Sequence, residues 1–282
     1  MLRPRRSVLY MPGSNPRALE KARSLAADGL IFDLEDAVAP DAKELARTQV
    51  VDAIRQGGYG KREILLRVNG PATPWGEADL KAAASSGADG VLLPKVESAD
   101  QVRAAAALLG GMPIWCMMET PFGILRAEEI CGASRSVAGL VMGTSDLAKD
   151  LHAAHTRMRL PMLVSLGHCL LVARAYGVAI LDGVYLDLED EAGFIESCRQ
   201  GVELGFDGKT LIHPKTIAAA NQAFAPSEAE LAWSRKIIEG HRQATEKGAG
   251  VVVVDGKLVE QLHVDNAERL VALAAMIAES EA

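Results

Sequence analysis

The stretch GLIFDLEDAVAPDAKELARTQVVDAIRQGGYGKREILLRVNG, residues 29–70, decides how the chain is read. It opens on an apolar, strand-like run, GLIFDLED (29–36). DAKELARTQVVDAIRQG follows with apolar residues at helical spacing, and EILLRVNG (63–70) returns to strand character. Strand, amphipathic helix, strand is the signature of a parallel βαβ unit. The same alternation runs outward in both directions through SVLYMPG (7–13), GVLLPKV (90–96), PIWCMMET (113–120), AGLVMGT (138–144), GVAILDGVYL (177–186) and DGKTLIHP (207–214). Helices such as PRALEKARSLAA, SADQVRAAAALLG and EAGFIESCRQGVELG fill the intervals, with glycine stops at Gly87, Gly110 and Gly205. Eight such strands make an α/β protein of the (β/α)8 barrel type the most economical architecture.

The barrel is expected to span residues 1–225, leaving 226–282 as a C-terminal extension. That extension reads as helix, hairpin, helix: SEAELAWSRKIIEGHRQATEKG, then VVVVDGKLVEQLHV (251–264), then VDNAERLVALAAMIAES. The Asp-Gly pair between two apolar runs is a strong short-range hairpin signal.

Composition narrows the function. With 282 residues, 49% of them hydrophobic, the chain can bury a large core. A net charge of −7 with interspersed signs argues against a nucleic-acid-binding face. Apolar stretches are short and broken by charge, so no membrane span is expected. The basic start, MLRPRRSVLYMPG, lacks the apolar run and cleavage site of a secretory signal, and a cytoplasmic location is expected. Cys116, Cys131, Cys169 and Cys198 are scattered with no C-x-x-C spacing and read as reduced core residues.

Polar residues at the C-terminal ends of barrel strands face the active site. That rule selects Glu35, Asp36, Arg67, Asn69, Lys95, Glu119, Ser145, Asp146, Asp187, Glu189 and His213. The set is dominated by oxygen ligands, and carboxylates crowded at one mouth need a cation or protons. A hard divalent ion, Mg2+, fits that chemistry, with Glu119 and Asp146 as its ligand pair. The competing reading makes both acids helix N-caps. Arg67, inside ILLRVNG, either forms a structural ion pair with Glu35 or Asp36 or also holds a substrate anion. His213 reads as a base or as a hydrogen-bonded strand-end residue, while His152, His155 and His168 make no defensible metal set. Glu97 reads as a helix-start charge. Gly13, Ser14 and Asn15 either cradle a phosphate or form an ordinary turn and cap. The long connection after the sixth strand carries Arg157 and Arg159, in a place where substrate contacts concentrate.

Taken in order, SVLYMPGSNPRALEKA, GLIFDLEDAVAPDAKELAR, LLRVNG, GVLLPKVES, METPFGIL, GTSDLAKDL and DGKTLIHPKTI resemble the HpcH/HpaI aldolase and citrate lyase beta-subunit type of acyl-CoA enzymes. That group includes malyl-CoA and citramalyl-CoA lyases and a malyl-CoA thioesterase branch. The resemblance implies a Mg2+-dependent barrel, with Mn2+ as a substitute, acting on CoA thioesters of short 3-hydroxy diacids. It places the metal carboxylates at Glu119 and Asp146, the catalytic arginine at Arg67, and Glu35 and Asp36 beside the metal site, holding its waters or Arg67. It also implies a homo-oligomer, trimer or hexamer, in which the extension of a neighbouring subunit supplies a lid acid. The family's aspartate position in that lid falls on Glu260 of GKLVEQL, one methylene longer. Cations near the mouth, Arg17, Lys21, Lys95 or Arg157, are the candidates to hold coenzyme A.

Three activities follow in order of expectation. The first is a lyase cleaving malyl-CoA, citramalyl-CoA or citryl-CoA by a retro-Claisen route. The second is a (3S)-malyl-CoA thioesterase on the same scaffold, suggested by the altered lid acid. The third is a citrate-lyase-beta-type subunit that needs partner chains.

Overall fold

A computed structural model describes residues 3–246, 248 and 250–281. Two compact units emerge, one of Arg5–Phe224 and one of Met1–Pro4 with Ala225–Ala282.

The first unit is the expected barrel. Its strands are β1 (Ser7–Pro12), β2 (Gly29–Asp33), β3 (Glu63–Arg67), β4 (Gly90–Leu93), β5 (Ile114–Met118), β6 (Val137–Met142), β7 (Ala179–Asp182) and β8 (Gly208–Leu211). Each pairs in parallel with the next, and β8 returns to β1, so the sheet closes. The helices are α1 (Pro16–Lys21), α2 (Lys43–Gln56), α3 (Gly76–Ala84), α4 (Ala99–Leu109), α5 (Pro121–Leu125), α6 (Ala127–Cys131), α7 (Thr144–Asp150), α8 (Leu163–Tyr176), α9 (Glu191–Leu204) and α10 (Ile217–Phe224). Gly110 and Gly205 end α4 and α9 in the left-handed conformation, at φ 59° and 102°, where glycine carries no Cβ penalty.

Alternation along the strands builds two cores. Val8, Ile31, Leu65, Leu92, Trp115, Val141 and Leu181 point into the barrel. Leu9, Leu30, Phe32, Leu66, Leu93 and Leu140 face the helical layer. Trp115 is the largest fully buried side chain, and the register gives it room at Gly139, where a Cβ would come within 2.3 Å of its ring. From below, the Arg5 guanidinium lies 5.0 Å from the Trp115 ring centre and donates to Glu63 Oε1 at 2.8 Å. All four cysteines are buried with free thiols. Among the described residues no helix is long and apolar enough to cross a membrane.

The second unit contains α11 (Glu228–Glu246), a hairpin of β9 (Val252–Val254) and β10 (Lys257–Val259), and α12 (Gln261–Glu281). Asp255 and Gly256 sit at φ 47° and 78° and form the two-residue turn, with Val254 paired to Lys257. Val252, Val254 and Val259 pack with Ile237, Val264 and Ala267 into a small core. Glu260, exposed, precedes α12, and its N–H donates to His263 Nδ1 at 3.0 Å.

Candidate active site

Toward the C-terminal end of the barrel the inward positions change from apolar to polar. Two residues beyond Val8, Ile31 and Leu65, the same faces of β1, β2 and β3 carry Tyr10, Asp33 and Arg67. β2 and β3 pair Asp33 with Arg67 in register. Arg67 Nε and Nη2 donate to Asp33 Oδ1 and Oδ2 at 2.7 and 2.6 Å, a bidentate fork. Burial works against the Arg67 charge, but the bond and charge of Asp33 more than reverse this and hold its pKa well above the ordinary value. The Arg67 guanidinium also lies 4.9 Å from the Tyr10 ring centre, within cation–π range.

The chain leaves β2 through Leu34, Glu35 and Asp36, and Asp33 organises that turn by accepting from the N–H groups of Glu35 and Ala37 at 2.8 and 3.1 Å. From outside, the buried Lys43 ammonium donates to the carbonyls of Leu34 and Glu35 at 2.9 and 2.7 Å. Glu35 is thereby set between two cations. Its Oε2 lies 3.0 Å from Arg67 Nη1, and its Oε1 accepts from Lys95 Nζ at 2.6 Å. Burial raises the Glu35 pKa while Arg67 and Lys95 draw it down. Asp36 stands 3.7 Å from each of the same two cations, and its side chain is 59% exposed.

Glu119 follows β5 on the inward face and is 1% exposed. Burial pushes its carboxyl up to about 7, opposed by the Lys95 N–H bond and the charges of Lys95 and Arg67. Among the described residues its carboxylate accepts a single hydrogen bond, that 2.7 Å bond from Lys95 N–H to Oε1. Gly143, after β6, makes space for it: a Cβ there would lie 2.4 Å from Glu119 Cβ and 2.5 Å from Oε2. Three residues on, Asp146 occupies the first turn of α7, and among the described residues its carboxylate has no hydrogen-bond or ion-pair partner.

Neither acid is a helix cap. Thr120 caps α5, accepting from Gly123 N–H, and Gly143 occupies the cap position of α7. Among the described residues Glu119 is a buried carboxylate with a single N–H partner and Asp146 a carboxylate with none, a donor set that suits a divalent cation. Among the described residues no three His, Cys, Asp or Glu side chains gather as a metal group. A two-carboxylate set is what Mg2+ commonly uses, keeping its remaining positions for water and substrate oxygens.

Other expected residues fall elsewhere. Asn69 is buried and structural, donating to Leu34 O and Asp79 Oδ2. His213 is exposed and caps a short turn by accepting from Lys215 N–H, which is the strand-end alternative rather than a base. Asn15 caps α1, so the Gly13–Asn15 segment is an ordinary turn. Glu97 directly precedes Ser98, which caps α4 in a capping box with Gln101. Asp187 is an exposed acid that accepts from the N–H groups of Glu189 and Asp190, and Glu189 pairs with Lys215. Among the described residues, Ser145 Oγ is buried without a partner. Arg17 and Lys21 are exposed on successive turns of α1 with no partner among the described residues. Lys95 differs from them, because its ammonium is already engaged.

Three residues escape the strand-end rule. Asp33 sits within an apolar run whose letters read as strand, and Tyr10 and Lys43 read as core and helix. The inward register of Asp33, one strand position opposite Arg67, is the signal that finds it. A second buried charge set lies on the helical side of β7 and β8: Asp182 accepts from Lys209 Nζ at 2.9 Å and from Arg159 Nη1 at 2.6 Å. Arg159, at φ 51°, also donates to Gln200 Oε1, so the long connection after β6 is tied to β7 and α9.

The sequence model of the HpcH/HpaI aldolase/citrate lyase family matches residues 6–214. The chain belongs to that family. A (3S)-malyl-CoA thioesterase of Cereibacter sphaeroides strain KD131 is 51% identical over 275 residues, covering 98% of this chain and 96% of the relative. The citrate lyase subunit beta of Escherichia coli strain K12 is 35% identical, covering 94% and 91%. Among solved structures, protein CitE from Mycobacterium tuberculosis, in complex with magnesium, acetoacetate and coenzyme A, matches with a TM-score of 0.79 and 31% identity, covering 95% of this chain and 97% of that one. The sequence ranks a lyase above a thioesterase; these likenesses favour the thioesterase.

Proposed function

We propose that this enzyme hydrolyses the thioester of a short 3-hydroxy diacyl-CoA, with malyl-CoA as the first substrate to test and Mg2+, or Mn2+ in its place, as cofactor. One observation carries the choice of hydrolysis: 51% identity along nearly the whole chain to a (3S)-malyl-CoA thioesterase, against 35% to a citrate lyase beta subunit.

Glu119 and Asp146 would hold the metal. When bound, Mg2+ supplies chelation of acyl oxygens and Lewis-acid polarisation. Arg67 offers Nη1, the nitrogen not bonded to Asp33, to the oxygens of the acyl group, and its locked orientation supplies preorganised positive charge. Glu35 and Asp36 stand behind Arg67 and Lys95 and fix where that charge lies. Arg17 and Lys21 are the cations proposed for the coenzyme A phosphates. In hydrolysis water adds to the thioester carbonyl carbon, the C–S bond breaks, and sulfur leaves as the CoA thiolate, taking up a proton. Glu260 of a neighbouring copy in a homo-oligomer is the base proposed for that water.

A retro-Claisen lyase is the second reading, motivated by the likeness to citrate lyase subunit beta. It needs a proton delivered to the enolate carbon of acetyl-CoA, a demand that hydrolysis does not make. Malyl-CoA incubated with the purified full-length chain and Mg2+ separates the two. Hydrolysis releases free malate and CoA in equal amounts; cleavage releases glyoxylate and acetyl-CoA. Hydrolysis that stops on adding EDTA and returns with Mg2+ is expected. Glyoxylate as the main product, or full activity in EDTA, overturns the proposal.

A further inference from the structure

Lys95 does more at this site than a mobile surface cation would. It is held at φ 49°, in the left-handed region that non-glycine residues rarely enter, directly after Pro94 at the end of β4. From that conformation its main-chain N–H points at Glu119 Oε1, 2.7 Å away, and its side chain carries Nζ to Glu35 Oε1, 2.6 Å away. The turn is fixed from the other side, since Gly123 of α5 packs so close to the Val96 carbonyl that a Cβ there would come within 2.5 Å. Arg126 Nη1 also donates to Glu97 O at 3.1 Å. A strained backbone braced on both sides is the pattern found where geometry is part of function.

We propose that Lys95 is a positioning residue that sets two carboxylates at once. Its amide fixes the rotamer of Glu119, its ammonium clamps Glu35 against Arg67, and the left-handed backbone is what allows one residue to reach both. The inference rests on the magnesium-dependent CoA-ester reading above, and it removes Lys95 from the cations available to coenzyme A. A phosphate-binding lysine needs a free ammonium and no particular φ; this one has a carboxylate partner and a constrained φ.

Four substitutions in the full-length chain test it. Lys95→Gly and Lys95→Val both delete the ammonium but differ in tolerance of positive φ: glycine keeps the amide aimed at Glu119, and a β-branched valine forces it away. Calorimetry should find the Mg2+ affinity of Lys95→Gly close to wild type and that of Lys95→Val weaker by about 10-fold or more, the usual effect of losing a group that orients a ligand. Lys95→Ala, the milder change should valine prevent folding, falls between them. Lys95→Met should lower kcat for malyl-CoA by about 10- to 100-fold through release of Glu35, with KM and the Kd for free CoA nearly unchanged. Equal Mg2+ affinity in the glycine and valine or alanine variants overturns the amide role. A raised KM and weakened CoA binding in Lys95→Met at unchanged kcat overturns the ammonium role in favour of direct phosphate contact. Wild-type protein that binds no Mg2+ and turns over no CoA ester refutes the functional reading itself, and this inference falls with it.

Discussion

Asp33 and Arg67 face each other across β2 and β3, joined by two parallel hydrogen bonds of 2.7 and 2.6 Å beneath the mouth of the barrel. Replacing Asp33 by Asn preserves shape but leaves a buried guanidinium without its counter-charge. Breaking a buried pair from one side costs about 3–5 kcal/mol. Urea unfolding of Asp33→Asn should show a loss of that order, together with reduced turnover, because Arg67 loses its fixed orientation. Wild-type stability in this variant would mean that Glu35 and Asp36 suffice to hold Arg67.

Gly143 is predicted to be intolerant of the smallest side chain. Its Cβ would overlap Glu119 at 2.4 Å, with the rest of the Glu119 surroundings already packed. Displacing a reacting geometry by about 1 Å costs on the order of 100-fold in rate. Gly143→Ala should therefore fold, bind Mg2+ less tightly by calorimetry, and lose about two orders of magnitude in kcat/KM.

The Asp182 set should govern acid stability. Burial alone would raise the Asp182 pKa, but Lys209 and Arg159 together outweigh it and hold the carboxyl below its ordinary value. A depressed folded pKa stabilises the native state above the unfolded value, about 3.9, and that contribution disappears as pH falls through the folded pKa. Wild-type protein followed by circular dichroism should keep its helicity down to about pH 4 and lose it below. Lys209→Met removes one of the two cations, so its acid transition should move to higher pH. An unmoved transition would assign acid unfolding to other carboxylates.

Glu260→Gln tests the extension. Loss of a general base lowers rates by roughly 10²–10⁴-fold, so kcat for malyl-CoA hydrolysis should fall within that range. Mg2+ affinity should stay at the wild-type value, because the carboxylates proposed to hold the metal follow β5 and open α7. Unchanged kcat would make Glu260 an ordinary residue before α12. A gain of glyoxylate release would point to a proton balance shifted toward cleavage.

The barrel was legible because its eight strands differ sharply in pattern from the helices between them, and hydrophobic period survives without tertiary information. Glu119, Asp146 and Arg67 could be picked out because each stands at a strand end or interrupts an apolar run. Asp33 could not, because GLIFD reads as continuous strand and only the pairing register shows that its carboxylate points inward. Lys95 was visible as a cation but not as a constraint, since a positive φ leaves no mark in a lysine. The Asp182, Lys209 and Arg159 set unites residues from β7, β8 and a distant loop, and no local spacing announces such a meeting.

Trp115 and Arg5 give the barrel a sealed floor. The barrel is therefore closed at one end, and under the proposed hydrolysis a substrate divided within it would send both halves out the way it came in. Whichever fragment sits deeper is trapped until the other has left. Under that reading departure would be ordered by depth, with the acyl acid held at the bottom and the large coenzyme first across the rim.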